Sequence, residues 1–307
     1  MPPNNTPAPE SGDGNKSQWF DPRELRKFDT TNDPNSIIGR RWLCKSSSMM
    51  IVGQSGTGKS SLMMQFAVRW AVGKDAFGIK PKEPLRSIIL NAENDFGDCA
   101  EAYQGAVQGA DLTDDQLDVL DANLAIVRNT TSMGEDFATY MESLIRQHNA
   151  SIIWVDPLLA FAGFDISNQK ETSAFLRRQI HPILKATGCI LCFMHHTTKP
   201  KKENENEQTT IASMAYQGAG SAEFVNYVRE VCYLMKTSGD DVTYKFGLTK
   251  RRGRAGLKNR YGEFRGEILI RHSTRPGVIA WEYAEDDQGQ SKDPSPSNGK
   301  GSPRRYS

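Results

Sequence analysis

Short apolar runs and longer amphipathic segments take turns along the chain. The apolar runs predict β-strands at 49–53, 87–93, 124–129, 151–159 and 189–196, and the run at 151–159, nearly all apolar before its aspartate, predicts a strand buried on both faces. Between these runs, apolar residues recur at helical spacing, which predicts helices at 59–73, from the second run to about 110, at 137–149 and at 171–188. This order predicts an α/β fold, in which a mostly parallel sheet lies between layers of helices.

The pattern changes after Tyr233, where closely spaced strand-like runs replace the alternation of strands and helices. These runs cover 242–250, 266–272 and 278–284 and predict an antiparallel extension of the sheet. We therefore predict one domain over 18–285. The flanking segments 1–17 and 286–307 are rich in Pro, Asn, Gly and Ser. They are predicted to be disordered, because they cannot bury enough apolar surface to offset the entropy of ordering them.

The composition excludes several classes of protein. The 307 residues include 38 Lys and Arg against 37 Asp and Glu, and 37% of them are hydrophobic. These values are typical of a soluble globular protein and exclude a strongly basic protein that wraps nucleic acid, while leaving local basic patches open. The sequence contains no apolar run of membrane-spanning length and no signal-peptide pattern at its start. It therefore predicts a cytoplasmic protein with no membrane partner.

Five cysteines include a C-x-x-C pair, Cys189 and Cys192. Such a pair raises the possibility of a redox or zinc site. It lies, however, in an apolar strand-like run, where the two side chains point to opposite faces, and no second pair completes a zinc site. We therefore interpret both residues as plain buried cysteines.

A glycine-rich segment between the first strand and the first helix matches the phosphate-loop pattern G-x-x-x-x-G-K-[ST] in full. Its residues are Gly53, Gln54, Ser55, Gly56, Thr57, Gly58, Lys59 and Ser60, followed in the helix by Ser61. Glycines let the backbone N–H groups surround phosphate oxygens, the helix adds the positive end of its dipole, and a lysine reaches the β- and γ-phosphates. The segment therefore predicts a binding site for a nucleoside triphosphate.

The phosphates in such a site need a divalent cation, which the Ser60 hydroxyl and a strand-end carboxylate would ligate. Asp156 ends the apolar run IIWVD and is the candidate carboxylate for Mg²⁺. A buried aspartate without a partner would be costly, which favours a metal-linked role. The structural alternative is an aspartate that caps the loop before Pro157.

Hydrolysis also needs a group that orients or deprotonates water, and Glu93 at the end of the second apolar run is the candidate. Asn94 or Asp95 is expected to be an ordinary helix N-cap. The fifth run ends in His195 and His196. Because neighbours on a strand face opposite ways, only one of these histidines can face the γ-phosphate.

The motifs GQSGTGKSS, LNAEN, IIWVDPL and MHHTTK, in this order, resemble those of the RecA-type ATPases. Within that class they are most similar to the hexameric plasmid replicative helicases and their AAA-labelled relatives in phages and mobile elements. The resemblance covers roughly residues 37 to 285. It implies that Glu93 is the catalytic base, that Asp156 and Ser60 hold Mg²⁺, and that His196 senses the γ-phosphate.

The resemblance also implies an arginine finger, a basic side chain that acts on the nucleotide of a neighbouring subunit. GAGSAEFVNYVREV resembles the family's segment with an arginine on a helix, which makes Arg229 one candidate. LTKRRGRAGL resembles the family's K-x-R segment at a strand end, which makes Lys250 and Arg252 the other. The alternative for this second segment is a solvated basic turn, and the sequence does not rank the two finger sites.

The function that this resemblance implies is an ATP-hydrolysing, ring-forming replicative helicase on single-stranded DNA, with ATP and Mg²⁺ as cofactors. Its partners would be DNA, further copies of the chain in a hexamer, and a replication or mobile-element protein. The polar segment 197–218 would face the DNA with Lys199, Lys201, Lys202 and Tyr216. Two alternatives stay open: a recombination-mediator ATPase of the RecA/RadA type, and a regulatory or loader ATPase that does not unwind DNA.

Overall fold

The computed structural model describes residues 19–197, 222–237 and 242–284. The two predicted disordered segments and the four residues predicted to contact DNA, Lys199, Lys201, Lys202 and Tyr216, lie outside these ranges. The described chain falls into two units that meet at Pro34 and Asn35. The first contains one short helix, α1 (Pro22–Lys27), which is capped by Asp21 and buries none of its residues.

The second unit is built on a nine-stranded sheet with the order β11-β10-β9-β8-β3-β7-β6-β4-β5. Its strands are β3 (Ser48–Gly53), β4 (Ser87–Asn91), β5 (Leu124–Arg128), β6 (Ile152–Asp156), β7 (Ile190–His196), β8 (Glu230–Lys236), β9 (Tyr244–Leu248), β10 (Glu267–His272) and β11 (Trp281–Tyr283). The strands from β8 to β5 in this order are parallel, and β9 to β11 are antiparallel. The predicted parallel core with an antiparallel extension is confirmed. A separate antiparallel pair, β1 (Ser36–Ile38) and β2 (Leu43–Cys44), precedes the sheet.

Helices cover both faces of the sheet. As a result, every residue of β3, β4 and β6 is buried. The helices are α2 (Lys59–Ala71), α3 (Phe96–Ala110), α4 (Asp114–Asn123), α5 (Gly134–His148), α6 (Leu159–Ala162), α7 (Gln169–Ala174), α8 (His181–Thr187), α9 (Glu223–Tyr227) and α10 (Arg252–Ala255). Residues of α2, α3 and α4 pack into one hydrophobic core, and residues of α5, α6 and α8 into the core on the other face. Burial on both faces explains why these strands read as continuous apolar runs.

Several predicted elements differ from the observed ones. The helix predicted at 171–188 is interrupted by a π-helical turn, Phe175–Ile180. Pro182 follows this turn and has no backbone N–H to donate, so the regular hydrogen-bond ladder cannot run through unchanged. The strand predicted to reach 93 ends at Asn91, and residues 230–236 form a parallel strand directly after Arg229, which the resemblance placed on a helix. Arg229 therefore lies between α9 and β8 and not on a helix.

The C-x-x-C pair is buried, as predicted. Cys189 and Cys192 are both 0% exposed and belong to opposite cores of the sheet. Burial raises the pKa of both thiols, so neither forms a thiolate readily. The described residues contain no group of three or more metal-ligating side chains. Within the same ranges, no helix has the length and apolar character to cross a membrane.

Close packing of α3 against the C-terminal extension gives a stability prediction. A Cβ atom added at Gly105 would meet the Cβ of Ile279 at 2.7 Å and its backbone nitrogen closer still. We expect Gly105→Ala to lower the free energy of unfolding by about 1–3 kcal/mol, the usual cost of overpacking. Gly97→Ala in the same helix is the control, because its Cβ would meet only Asp95, at 3.3 Å. Urea unfolding of both variants tests this, and equal stability of the two would contradict it.

Candidate active site

The phosphate loop connects β3 to α2 at the carboxyl edge of the parallel sheet. Gly53 ends β3, and a Cβ there would lie 2.6 Å from the carbonyl oxygen of Leu234 on β8. Gly56 and Gly58 have φ angles of +74° and +85°, which favour glycine. Among the described residues, no hydrogen-bond acceptor meets the backbone N–H groups of Gly56, Gly58, Lys59 and Ser60. These N–H groups at the start of a helix are the donors that a phosphate requires.

Lys59 is folded back onto its own loop. Its Nζ donates to the carbonyl oxygens of Gly53 at 3.0 Å and Gln54 at 2.8 Å, and lies 3.2 Å from Nδ1 of His196. The side chain is 5% exposed, and this burial lowers the pKa of its ammonium, an effect that Asp156 and Glu93 oppose. A cation held by carbonyl dipoles can exchange them for phosphate oxygens when nucleotide enters.

Asp156 ends β6 beside the start of α2. It is 9% exposed, and burial raises the pKa of its carboxyl group, while a hydrogen bond with the Ser60 side chain lowers it. A buried carboxylate next to a hydroxyl is the oxygen-donor set that Mg²⁺ prefers. The raised pKa fits this ion, because a divalent cation would stabilise the charged form that burial disfavours. The residues present therefore fit the predicted Mg²⁺ site.

Glu93 lies on a turn that Asn91 builds. Asn91 is the last residue of β4 and pairs in register with Asp156 on β6. Its buried side-chain oxygen accepts the backbone N–H groups of Glu93 at 2.9 Å and Asn94 at 3.1 Å. Glu93 is consequently an exposed carboxylate close enough to Asp156 and Lys59 to influence the pKa of both. The role of Asn91 was not predicted, although a polar residue in an apolar run was a usable signal for it.

The two histidines of β7 face opposite sides, as strand geometry predicts. His196 pairs in register with Gly53 and contacts Lys59, whereas His195 is 3% exposed and packs against Phe224, with ring centroids 5.0 Å apart. Burial, and then the charge of Lys59, lower the pKa of His196. His196 is therefore placed to accept a hydrogen bond from the Lys59 ammonium as the neutral imidazole.

This arrangement predicts a pH dependence of stability. A histidine whose pKa is lowered by folding takes up its proton more readily in the unfolded chain, so its stabilisation is lost as the pH falls below about 6.5. We expect nucleotide-free protein to lose stability between pH 7.5 and 5.5, and His196→Asn to reduce that loss. Urea unfolding at both pH values measures it, with the exposed His148→Asn as control. A loss as large in His196→Asn as in the wild type would contradict the contact with Lys59.

The C-terminal extension packs against the phosphate loop, which sequence analysis did not predict. The Trp281 indole N–H donates to the Ser61 hydroxyl at 3.0 Å, and a Cβ at Gly58 would lie 2.6 Å from its ring. His272 packs against Trp281 with ring centroids 3.9 Å apart. β11 thus supports the start of α2 from outside the parallel core. The sequence feature connected with this packing was a tryptophan, Trp281, in a strand-like run.

The predicted finger residues lie at the opposite edge of the sheet. The backbone N–H of Arg229 donates to the Ser48 carbonyl oxygen at the start of β3, whereas the phosphate loop follows the end of that strand at Gly53. A strand of 6 residues at about 3.3 Å per residue separates the two ends by roughly 20 Å. Lys250 and Arg252 follow β9, whose last residue pairs with Cys232 near the start of β8. None of the three can reach the phosphate loop of its own chain.

Two of these three side chains are already engaged. Arg229 Nε donates to the carbonyl oxygen of Trp42 at 3.2 Å. Lys250 Nζ donates to the carbonyl oxygens of Val225 and, at 2.7 Å, Val228. Both therefore stabilise the local fold.

Arg252 differs, because the residue is exposed and its guanidinium has no hydrogen bond or ion pair within the described ranges. The structure thus separates finger candidates that the sequence could not rank, and Arg252 is the one whose cation is available.

Glu230, which sequence analysis passed over, holds the basic turn in shape. This carboxylate is 0% exposed. It accepts the backbone N–H groups of Thr249 at 3.1 Å, Lys250 at 2.8 Å and Arg251 at 2.8 Å, together with the indole N–H of Trp42 at 2.9 Å. A buried charge needs several such donors to be tolerated. The four donors lie far from Glu230 in the sequence, so no local pattern predicts these hydrogen bonds.

Comparisons with known proteins agree with this fold. The model of the AAA domain family AAA_25 matches residues 19–202, which is more than half of the chain. No curated protein matches the chain. Among solved structures, the chain is similar to the KaiC-like protein PH0186 of the hyperthermophilic archaeon Pyrococcus horikoshii OT3, with a TM-score of 0.50 and 16% identity over 78% of this chain and 91% of that one. The chain therefore belongs to the AAA_25 family of AAA domains and carries a RecA-like P-loop ATPase domain.

Proposed function

We propose that this chain is one subunit of an ATP-driven ring, a hexamer, that acts on single-stranded DNA as a replicative helicase. The observation that carries the proposal is the separation of two halves of a catalytic site on one chain. Lys59, Glu93 and Asp156 gather at one edge of the sheet. Arg252 lies at the other edge, out of reach of the phosphate loop of its own chain and in a position from which a second copy could use it.

The residues at the first edge suit the binding and cleavage of ATP. Loop N–H groups and Lys59 would receive the phosphates, with Lys59 exchanging its contacts to the Gly53 and Gln54 carbonyl oxygens for phosphate oxygens. Glu93 is exposed on its turn and would take a proton from the attacking water. Ser60 and Asp156 would hold Mg²⁺, which when bound supplies positive charge against the phosphate oxygens.

Within the described residues, the site of one chain lacks a second fixed cation. The charged neighbours that affect the pKa of Asp156 are Lys59, Glu93 and His196. Transfer of the γ-phosphoryl group builds negative charge that a second cation stabilises strongly. Arg252 of a neighbouring copy would supply it. Each chain offers one loop edge and one finger edge on opposite sides of the sheet, so copies would join head to tail, and such contacts form a ring when the rotation between neighbours closes.

The proposal that the ring acts on DNA rests on the resemblance and on three lysines in the polar segment after β7. Lys199, Lys201 and Lys202 follow the strand that ends in His196, and Tyr216 offers a ring for base stacking. A change at His196 when the γ-phosphate is lost would pass directly into this segment. That coupling is what a motor needs between hydrolysis and movement along DNA.

Two assays test the proposal against its alternatives. We expect single-stranded DNA to stimulate the ATPase activity and the protein to displace a strand from a forked duplex in an ATP-dependent reaction. DNA stimulation without displacement, with filaments in electron micrographs, would indicate the recombination-mediator alternative. ATP hydrolysis unaffected by DNA, with no displacement, would indicate a regulatory or loader ATPase.

A further inference from the structure

A recess separate from the phosphate-loop site lies at the amino ends of β3 and β7, at the opposite edge of the sheet. Its volume is about 500 Å³, and its walls come from the segment before β3, the π-helical turn, α8 and α9. A cavity of this size suits a small ligand, since ligand pockets usually measure about 300–1,000 Å³. None of the residues assigned above to ATP binding or Mg²⁺ lines it.

The recess is lined by cations that few carboxylates oppose. Lys45, Arg177, Lys185 and Arg229 line it, together with neutral groups. Within the described ranges, the one ion pair among these four joins Arg177 to Glu223 at 3.3 Å. The side chains of Lys45 and Lys185 make no ion pair or hydrogen bond there. Two lysines without a local partner, beside two arginines on a concave surface, form a positively charged lining that suits phosphate groups.

Two further residues of the lining, His181 and Tyr227, bear on what the recess could hold. Burial and the charges of Lys185 and Arg177 lower the pKa of His181, because a proton on this imidazole would add another positive charge beside them. The hydroxyl group of Tyr227 is buried and has no hydrogen-bond partner among the described residues. A buried unpaired hydroxyl costs free energy, which an anion oxygen in the recess would recover.

We propose that this recess is a second anion site, which binds a small molecule carrying a pyrophosphate group independently of the phosphate loop. Two linked phosphates match the several cations better than a single one does. The concave shape favours a small ligand over the backbone of a nucleic acid. The ligand could be free pyrophosphate or the diphosphate of a nucleotide, and the two share the group that the recess would recognise.

The experiment uses full-length protein with Lys59→Ala, which removes the phosphate-loop lysine. Calorimetric titration with sodium pyrophosphate, and separately with ADP, at physiological salt should show one saturable site per chain. Tighter binding of ADP would assign the site to a nucleotide, and equal or tighter binding of pyrophosphate to a free polyphosphate. Because Lys59 is buried, wild-type protein saturated with a non-hydrolysable ATP analogue serves as a second background.

Matched charge variants locate the site. On either background, Lys185→Ala should weaken binding about tenfold or more, the worth of a charge-assisted contact. Lys80→Ala removes an equally exposed lysine outside the recess and should change the affinity less than twofold. Absence of saturable binding on both backgrounds, or equal losses in the two variants, would overturn the proposal. So would a single-stranded oligonucleotide whose binding depends on Lys185 while that of pyrophosphate does not.

Discussion

An equimolar mixture of Glu93→Gln and Arg252→Ala proteins should hydrolyse ATP much faster than either protein alone. In a mixed ring, some interfaces combine an intact Glu93 on one subunit with an intact Arg252 on its neighbour. Neither pure ring contains such an interface. The expectation follows from the distance of roughly 20 Å between the two edges of the sheet, which prevents Arg252 from reaching the phosphate loop of its own chain.

The size of the rescue depends on what a finger contributes. Such residues are worth about 10³ to 10⁵ in rate in phosphoryl-transfer enzymes, because they stabilise charge that develops only in the transition state. Arg252→Ala should therefore bind ATP normally and lose turnover, since the guanidinium would touch the transferring phosphoryl group and not the base or ribose. Even a small fraction of restored interfaces then exceeds the background of both parents.

Arg254→Ala is the matched control for this experiment. Arg254 lies two residues further along the same short helix and is also exposed. Its removal deletes the same charge from the same surface, and we expect little change in turnover. Steady-state ATPase rates across a range of mixing ratios, in samples shown to exchange subunits, test the prediction. A flat curve at the background rate would contradict a shared active site.

Glu93→Gln alone should bind ATP and Mg²⁺ with nearly unchanged affinity. It should hydrolyse ATP at a rate lower than that of the wild type by a factor of about 10² or more. A general base contributes about 10² to 10⁴ in rate, and the amide has the same shape but accepts no proton at neutral pH. The backbone of the turn is held by the Asn91 side chain and not by that of Glu93, so the loop geometry should survive the substitution. Single-turnover hydrolysis and nucleotide titration separate the two effects.

Glu101→Gln provides the control for charge, because Glu101 is an exposed carboxylate on α3 outside the site. It should keep wild-type turnover. If Asp156→Asn lost turnover while Glu93→Gln kept it, the base would lie elsewhere and the RecA-type assignment of Glu93 would be wrong.

Local sequence was sufficient for those parts of the protein whose chemistry lies within one short segment. The phosphate loop was predictable because glycines, lysine and serine at that spacing form the site with their own backbone. The strand that ends at Asp156 was predictable because a strand buried on both faces must be apolar throughout. The alternation of such strands with amphipathic helices was likewise enough to predict the parallel core.

Tertiary structure decided everything that depends on which distant segments become neighbours. The packing of Trp281 on Ser61, the four donors from Trp42 and residues 249–251 around Glu230, and the recess at the amino ends of β3 and β7 join residues far apart in the chain. The sequence does not rank Arg229 against Lys250 and Arg252, and their surroundings distinguish two engaged cations from one without a hydrogen bond or ion pair in the described residues. A local pattern specifies the conformation of its own backbone, but the partners of a side chain depend on strand order and register, which the whole fold determines.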